Sequence, residues 1–226
     1  MVKKIESQNN KDNKTGNAEF YIQLGIIAML SLLLIFNTGK IYGSSGSNSI
    51  SLTGAISSSG IIPKGIPEFY GKELGVKYDD VSPNNPVLAD STIKKLSKYE
   101  DLTLNKEQIE RYIRIGSSIS CEYCCAAAAI IFSNGERACG CAHSYAMRGL
   151  AKYLLTNNSD MTDEQILSEL GKWKVLFFPG IHEQKAKVLE ENGIDSNDYI
   201  NLASNLYRGI EQGKISSSSG GMVGGC

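Results

Sequence analysis

Two histidines, His143 and His182, are all that this 226-residue chain contains. It has no His-Glu-x-x-His pair and no nucleophile elbow, so no hydrolytic constellation can be assembled. A glycine-rich phosphate loop and internal repeats are also missing. Lys plus Arg number 23 and Asp plus Glu 24, a net charge of −1, and no dense basic stripe interleaves with aromatics. Nucleic acid is therefore not expected as a partner. No Cys-x-x-Cys-His occurs, which excludes covalent haem attachment, and the cysteine spacings match neither common ferredoxin pattern. The last residue is Cys226, so no Cys-a-a-X lipidation box can form.

What is present begins with one apolar run. Residues 20–37 open with "FYIQLGIIAMLSLLLIF", in which Gln23 and Ser31 are the strongly polar members. Seventeen helical residues span about 25 Å, close to a ~30 Å hydrocarbon core. Lys3, Lys4, Lys11 and Lys14 precede the run and Lys40 follows it. That asymmetry points to a transmembrane signal anchor with residues 1–19 in the cytoplasm and the bulk of the chain extracytoplasmic at the cell membrane, single-pass. A cleaved leader and a buried core helix are the competing readings. No Ala-x-Ala-like site or lipoprotein-type cysteine follows the run. Residues 38–64 then read as a flexible Ser/Gly-rich linker.

Residues 65–213 carry helical patterns, and the expected fold class is mainly α, with a small multi-helix domain after the anchor. Ser91 is a candidate cap for a short helix bearing Ile93 and Leu96. Asn105 with Gln108 has the form of a capping box before Ile109, Tyr112 and Ile113, with Gly116 as a stop, and Thr162 with Gln165 has the same form. Ala142–Leu155 presents a small stripe (Ala142, Ala146, Gly149) and a bulky one (Met147, Leu150, Leu154). Ile181–Asn192 and Ser196–Gln212 complete the helical set, separated by Gly193.

The chemistry concentrates in one segment. Five of the six cysteines lie within 21 residues, as Cys121-x2-Cys124-Cys125 and Cys139-x-Cys141-x-His143. A Cys-x2-Cys pair fits a tight turn that offers two sulfurs to a tetrahedral ion. Asn134-Gly135 between the clusters suits a hairpin reversal. The second cluster starts a helix, where unsatisfied N–H groups favour thiolate. Knuckle, hairpin and helix start together resemble treble-clef zinc sites. The expected metal ligands are Cys121, Cys124, Cys125, Cys139, Cys141 and His143, with Cys226 as a possible accessory. Zinc is the default ion, and the surplus of soft sulfur also suits copper(I).

Two alternatives stay open. Six cysteines in an oxidising space allow 15 disulfide connectivities, although adjacent Cys124 and Cys125 form no ordinary bond with each other. A thiol–disulfide oxidoreductase using Cys121/Cys124 or Cys139/Cys141 is the other. His182, isolated on a later helix, reads as a surface or packing residue. The tail, 214–226, is Ser/Gly-rich and reads as flexible. A ten-residue segment of that kind has an r.m.s. span of roughly 16–19 Å, enough for Cys226 to return to a nearby site or to crosslink with another chain.

The run "ISCEYCCAAAAIIF…ACGCAHSYAMRGLAKYLL" (119–155) resembles a family of uncharacterised membrane-anchored microbial proteins of archaeal type, whose Gly-rich tail ends in cysteine. The likeness covers most of 65–178 and the tail. More loosely, "CGCAHS" is similar to the PCYCGC-motif proteins of unknown function. The resemblance implies an envelope protein with a metal site, held to the membrane by its N-terminal helix, with an envelope protein as a partner.

Overall fold

The computed structural model describes residues 21–26, 29, 60–212 and 222–224. The chain divides into two units, Met1–Ala55 and Ile56–Cys226. In the first, residues 21–26 are helical and exposed. No helix among the described residues is long and apolar enough to cross a membrane. Apart from residues 21–26 and 29, the apolar run at 20–37 lies outside the described residues, as does most of the 38–64 linker.

Among the described residues the second unit is mainly helical, with α1 Gly71–Leu74, α2 Pro86–Ser97, α3 Lys106–Ser117, α4 Glu122–Cys125, α5 Ala142–Asn157, α6 Asp163–Phe177, α7 Pro179–Glu191 and α8 Tyr199–Ala203. Local chemistry sets several starts. Asn105 and Gln108 close a reciprocal capping box on α3, and Thr162 and Gln165 do so on α6, as the sequence predicts. Helix α2 begins five residues ahead of Ser91: Asn85 accepts from the Leu88 N–H and Pro86 supplies the first turn, leaving Ser91 inside the helix.

Helix α5 is the centre of the unit and is buried on nearly every side. It packs on α2, α3 and α6. The predicted small stripe is what allows this. A Cβ at Gly149 would collide with the carbonyl of Leu96, so α2 and α5 cross with backbones nearly touching. Leu150, Ala151 and Leu154 are fully buried beside that crossing, and a Leu→Ala change in such a site costs about 2–5 kcal/mol.

Three expectations need correction. Gly116 does not stop α3, which runs to Ser117. The glycine instead lets Ile131 press against the helix, where a Cβ would meet Ile131 Cγ1 at 2.8 Å. The stretch 196–212 is not one helix: only Tyr199–Ala203 is helical, and Ser204 turns extended so that the Asn205 N–H reaches the Ser118 carbonyl (2.8 Å). The hairpin between the cysteine clusters forms its turn but no strands, and only isolated bridges Cys121↔Ala127 and Ile131↔Arg137 mark it.

Residues 61–85 wrap the helices, and of these only 61–64 fall within the stretch that reads from sequence as linker. Ile61 and Pro63 are already buried, and Tyr70, Tyr78 and Trp173 bring the wrap onto α6 around Glu169.

Candidate cysteine centre

The first cysteine cluster is built by a single tight turn. The Cys121 carbonyl accepts from the N–H groups of Cys124 (3.3 Å) and Cys125 (3.1 Å), which curls Glu122–Cys125 into α4. Ala126, at φ 52°, then reverses the chain in a left-handed conformation that a non-glycine residue adopts at a cost. The Asn134-Gly135 turn sends the chain back: Gly135 has φ 85°, and the Phe132 N–H donates to Glu136 O at 2.8 Å. The second cluster arrives at the head of α5, where Cys141 is the N-cap and its sulfur accepts from the Ser144 N–H at 3.4 Å.

A buried arginine holds the two arms together. Arg148, one helical turn and a half along α5, donates from Nη1 to the carbonyls of Ile130 (3.0 Å) and Cys139 (2.8 Å), while its Nε pairs with Glu100. Glu100 is also paired with Arg137 at 3.0 Å. A carboxylate shared by two guanidiniums thus fixes the loop that carries Cys139 and Cys141 to the helix that caps it. Removing Glu100 would strand the buried Arg148 charge, which costs about 3–5 kcal/mol.

The sulfurs pair across the two clusters. Cys125 and Cys139 form a disulfide with Cα atoms 6.6 Å apart. Cys121 and Cys141 are free thiols, both buried, with Sγ atoms 3.3 Å apart. Cys124 is disulfide-bonded as well. The Sγ atoms of Cys121, Cys124, Cys125 and Cys141 all lie within 4.8 Å of one another. Neither dithiol expected from sequence spacing, Cys121/Cys124 or Cys139/Cys141, is the pair that forms. Burial grades the group, from Cys121 at 0% exposure to Cys125 on the surface.

The two free thiols are electrostatically unequal. The hydrogen bond with Cys121 holds the Cys141 thiol well below the ordinary thiol range, and His143 and then Ser144 at the helix start add to it. Cys121 moves the other way, raised by its hydrogen bond to Cys141 and then by burial. The direction of both shifts favours charge on Cys141 and a retained proton on Cys121.

His143 and Cys139 occupy places different from those of the four convergent sulfurs. Cys139 is tied to Cys125, while His143 is fully buried and its Nε2–H donates to the Val223 carbonyl at 2.8 Å. His143 also helps to hold the Cys141 thiol low. Cys226 lies outside the described residues. His182 packs edge-on against Tyr123 at 5.5 Å, fully buried, and its Nδ1–H donates to the Phe178 carbonyl.

Spacing alone did not reveal a charged chamber behind α4. Lys174, with no exposed surface, places Nζ 3.1 Å from both oxygens of Glu122, 3.3 Å from Ser120 Oγ and 2.8 Å from the Ala203 carbonyl. Burial tends to raise the Glu122 carboxyl, but Lys174 and Ser120 outweigh it and hold the group low. Tyr123 donates to Glu211 at 2.8 Å, and Lys174 lies 5.3 Å over the Tyr123 ring. The one sequence signal was a lysine inside "WKVLFF", a charge in the middle of an otherwise apolar run.

No family model, curated protein or solved structure matches this chain. The chemistry is thus read from the site alone. Four convergent sulfurs of this kind can hold a metal ion, and a dithiol packed beside a disulfide can exchange electrons with it.

Proposed function

We propose that this chain is a thiol–disulfide exchange protein whose centre relays two electrons between a buried dithiol and a surface disulfide. One observation carries the reading: the free Cys121/Cys141 pair, 3.3 Å apart, has its sulfurs within 4.8 Å of Cys125, which is bonded to Cys139. The Cys141 thiolate attacks Cys125 Sγ. The Cys125–Cys139 bond breaks, and Cys139 leaves as a thiolate. Cys121 then gives its proton to Cys139 and attacks Cys141, releasing Cys125 as a thiolate. One thiol and one thiolate stand on each side of this exchange. The inner pair is oxidised by two electrons and the outer pair reduced. Exposed Cys125 then passes those electrons to a disulfide of a partner protein, with Cys139 closing the bond behind it. Run backwards, the centre oxidises a partner's dithiol.

The expected position at the cell envelope, with the bulk of the chain outside the membrane, fits an exchange centre because disulfides persist there. The support for that position is the apolar run at 20–37, its lysine asymmetry and the family resemblance. The test is turnover of a small disulfide by the full chain with a dithiol as the electron source. Wild type is expected to turn over and to lose activity when Cys141 is replaced by Ser. A wild-type rate equal to that of the free dithiol alone would defeat the reading.

A second reading has its own observation. Four sulfurs within 4.8 Å approach the edges of a tetrahedral thiolate site, about 3.8 Å for metal–sulfur bonds near 2.3 Å. Once Cys124 and Cys125 are reduced, Cys121, Cys124, Cys125 and Cys141 become candidates for zinc or copper(I). Elemental analysis of anaerobically reduced protein loaded with either ion is expected to give one ion per chain. A ratio near zero would remove this reading and leave the first intact.

A further inference from the structure

We propose that the cleft between α3 and the Asn134-Gly135 turn is where the exchange partner docks, and that it takes a protein segment carrying an aliphatic side chain next to a lysine or arginine. The inference deepens the thiol–disulfide reading and rests on it for the partner's role, while docking itself can be tested without any exchange.

The first argument is shape. The loop after α2, helix α3 and the Asn134-Gly135 turn line a cleft of about 730 Å³, within the ordinary range for ligand sites. Its apolar surface comes from Leu102, Leu104, Ile109 and Tyr112. Leu104 and Tyr112 are buried, whereas Ile109 keeps 43% exposure. An aliphatic side chain left open on a concave wall gains burial when a second apolar side chain enters.

The second argument is charge. Of the lining residues, Asp101 and Glu136 are exposed acids and Arg137 is the exposed base. Arg137 is already engaged, by Glu100 at 3.0 Å and Asp101 at 2.8 Å. Lys152 is turned away onto main chain, with Nζ 2.6 Å from the Glu100 carbonyl and 3.2 Å from that of Leu102. Glu136 has no ion-pair partner among the described residues. An arriving cation therefore finds a free carboxylate, while an arriving anion must compete for a guanidinium that is already held.

The third argument is position. Arg137 stands two residues before Cys139, at most about 7 Å along the backbone. Glu100 joins Arg137 to Arg148, which holds the Cys139 carbonyl. A segment seated on Glu136 and Arg137 thus rests on the arm that carries one half of the Cys125–Cys139 disulfide. No bond is made or broken in the cleft. Its part is to hold the partner within reach of that disulfide.

The experiment measures binding of three fluorescein-labelled, cysteine-free peptides to the full chain by anisotropy: Gly-Gly-Leu-Lys-Gly-Gly, the same with Glu for Lys, and the same with Ala for Leu. The Leu-Lys peptide is expected to bind at least about tenfold tighter than either of the others. Ile109→Asp should abolish that advantage. Glu136→Lys should reverse it in favour of the Leu-Glu peptide, a gain that misfolding cannot produce. With wild type, unlabelled Leu-Lys peptide should also compete with a disulfide peptide built on the same Leu-Lys sequence, raising its KM and leaving its kcat unchanged, while turnover of 2-hydroxyethyl disulfide stays as it was. Equal binding of the three peptides, no saturable binding, or a preference unmoved by Glu136→Lys would each overturn the proposal. So would a dimer of the full chain that Ile109→Asp dissociates, since a second copy would then be the occupant. Selective binding by a chain that turns over no disulfide would retire the exchange reading and keep the docking site.

Discussion

Helix α6 carries two buried polar centres, one turn and a half apart, and they are finished differently. Around Glu169 every group is satisfied. Tyr70 and Tyr78 donate to one carboxylate oxygen (3.0 and 2.6 Å), Lys172 donates to the other (2.6 Å), and the Trp173 indole donates to Tyr70 (2.6 Å). Around Lys174 the ammonium is saturated, but Lys185 Nζ, His182 Nε2 and Glu211 Oε2 lack partners among the described residues. A closed network fastens the 61–85 wrap to the helices. The second is set directly behind the turn that carries Cys121, Cys124 and Cys125, and Lys174 acts electrostatically on Cys121, so this centre is coupled to the sulfurs while the first fastens the wrap.

The strongest way to break this contrast is to act on the sulfurs themselves. Cys141→Ser removes the attacking thiolate, and disulfide turnover is expected to fall by at least about 100-fold. Glu169→Gln, on the scaffolding side, should leave the rate within about twofold while lowering the urea midpoint. If both variants slow turnover alike, the two centres are not separate.

Next in size is Lys174→Met, which strands Glu122 as a buried charge and is expected to cost about 3–5 kcal/mol in urea unfolding. Joined to Glu122→Leu, most of that loss should return, because the apolar pair leaves no charge unpaired. A single-variant cost below about 1 kcal/mol would show the chamber to be wetter than its burial implies.

Acid offers a subtler probe. Burial, and then Lys174, push the His182 imidazole down to about 3 from an ordinary value near 6.5. Between those values the unfolded chain takes up a proton that the folded His182 refuses, so stability falls as pH drops through that window. The loss is on the order of 4 kcal/mol by pH 3. His182→Phe should flatten this part of the pH–stability curve, and an unchanged slope would place the acid sensitivity elsewhere.

The smallest effect is expected from Tyr70→Phe. It leaves the Trp173 N–H unpaired and should cost about 1–3 kcal/mol without altering the alkylation rate of Cys121 or Cys141. A changed alkylation rate would join the two centres again.

Much of this was legible in the chain. Asn105/Gln108 and Thr162/Gln165 cap as read, Asn134-Gly135 turns, Gly149 admits α2, and Cys141 heads a helix. Each is settled by contacts within a few residues or by the absence of a side chain. The failures share the opposite property. Ser91 lost to Asn85 and Pro86, which start α2 five residues earlier, and the pattern at 196–212 broke where Asn205 found partners on the distant Ser117–Ser118 turn and Ala128.

The same division runs through the site. By itself the sequence determined that five sulfurs would gather on a tight turn and a helix start, because the peptide geometry that forms those features is local. Which sulfur bonds to which was decided by tertiary structure. Disulfides need Cα atoms within about 7 Å, and the 14 residues from Cys125 to Cys139 close to 6.6 Å between arms that Arg148 pins to α5. Tertiary contact made the same choice for charge. It set Cys121 against Cys141 at a helix N-cap, and the hydrogen bond between the two sulfurs raises the Cys121 thiol and lowers that of Cys141.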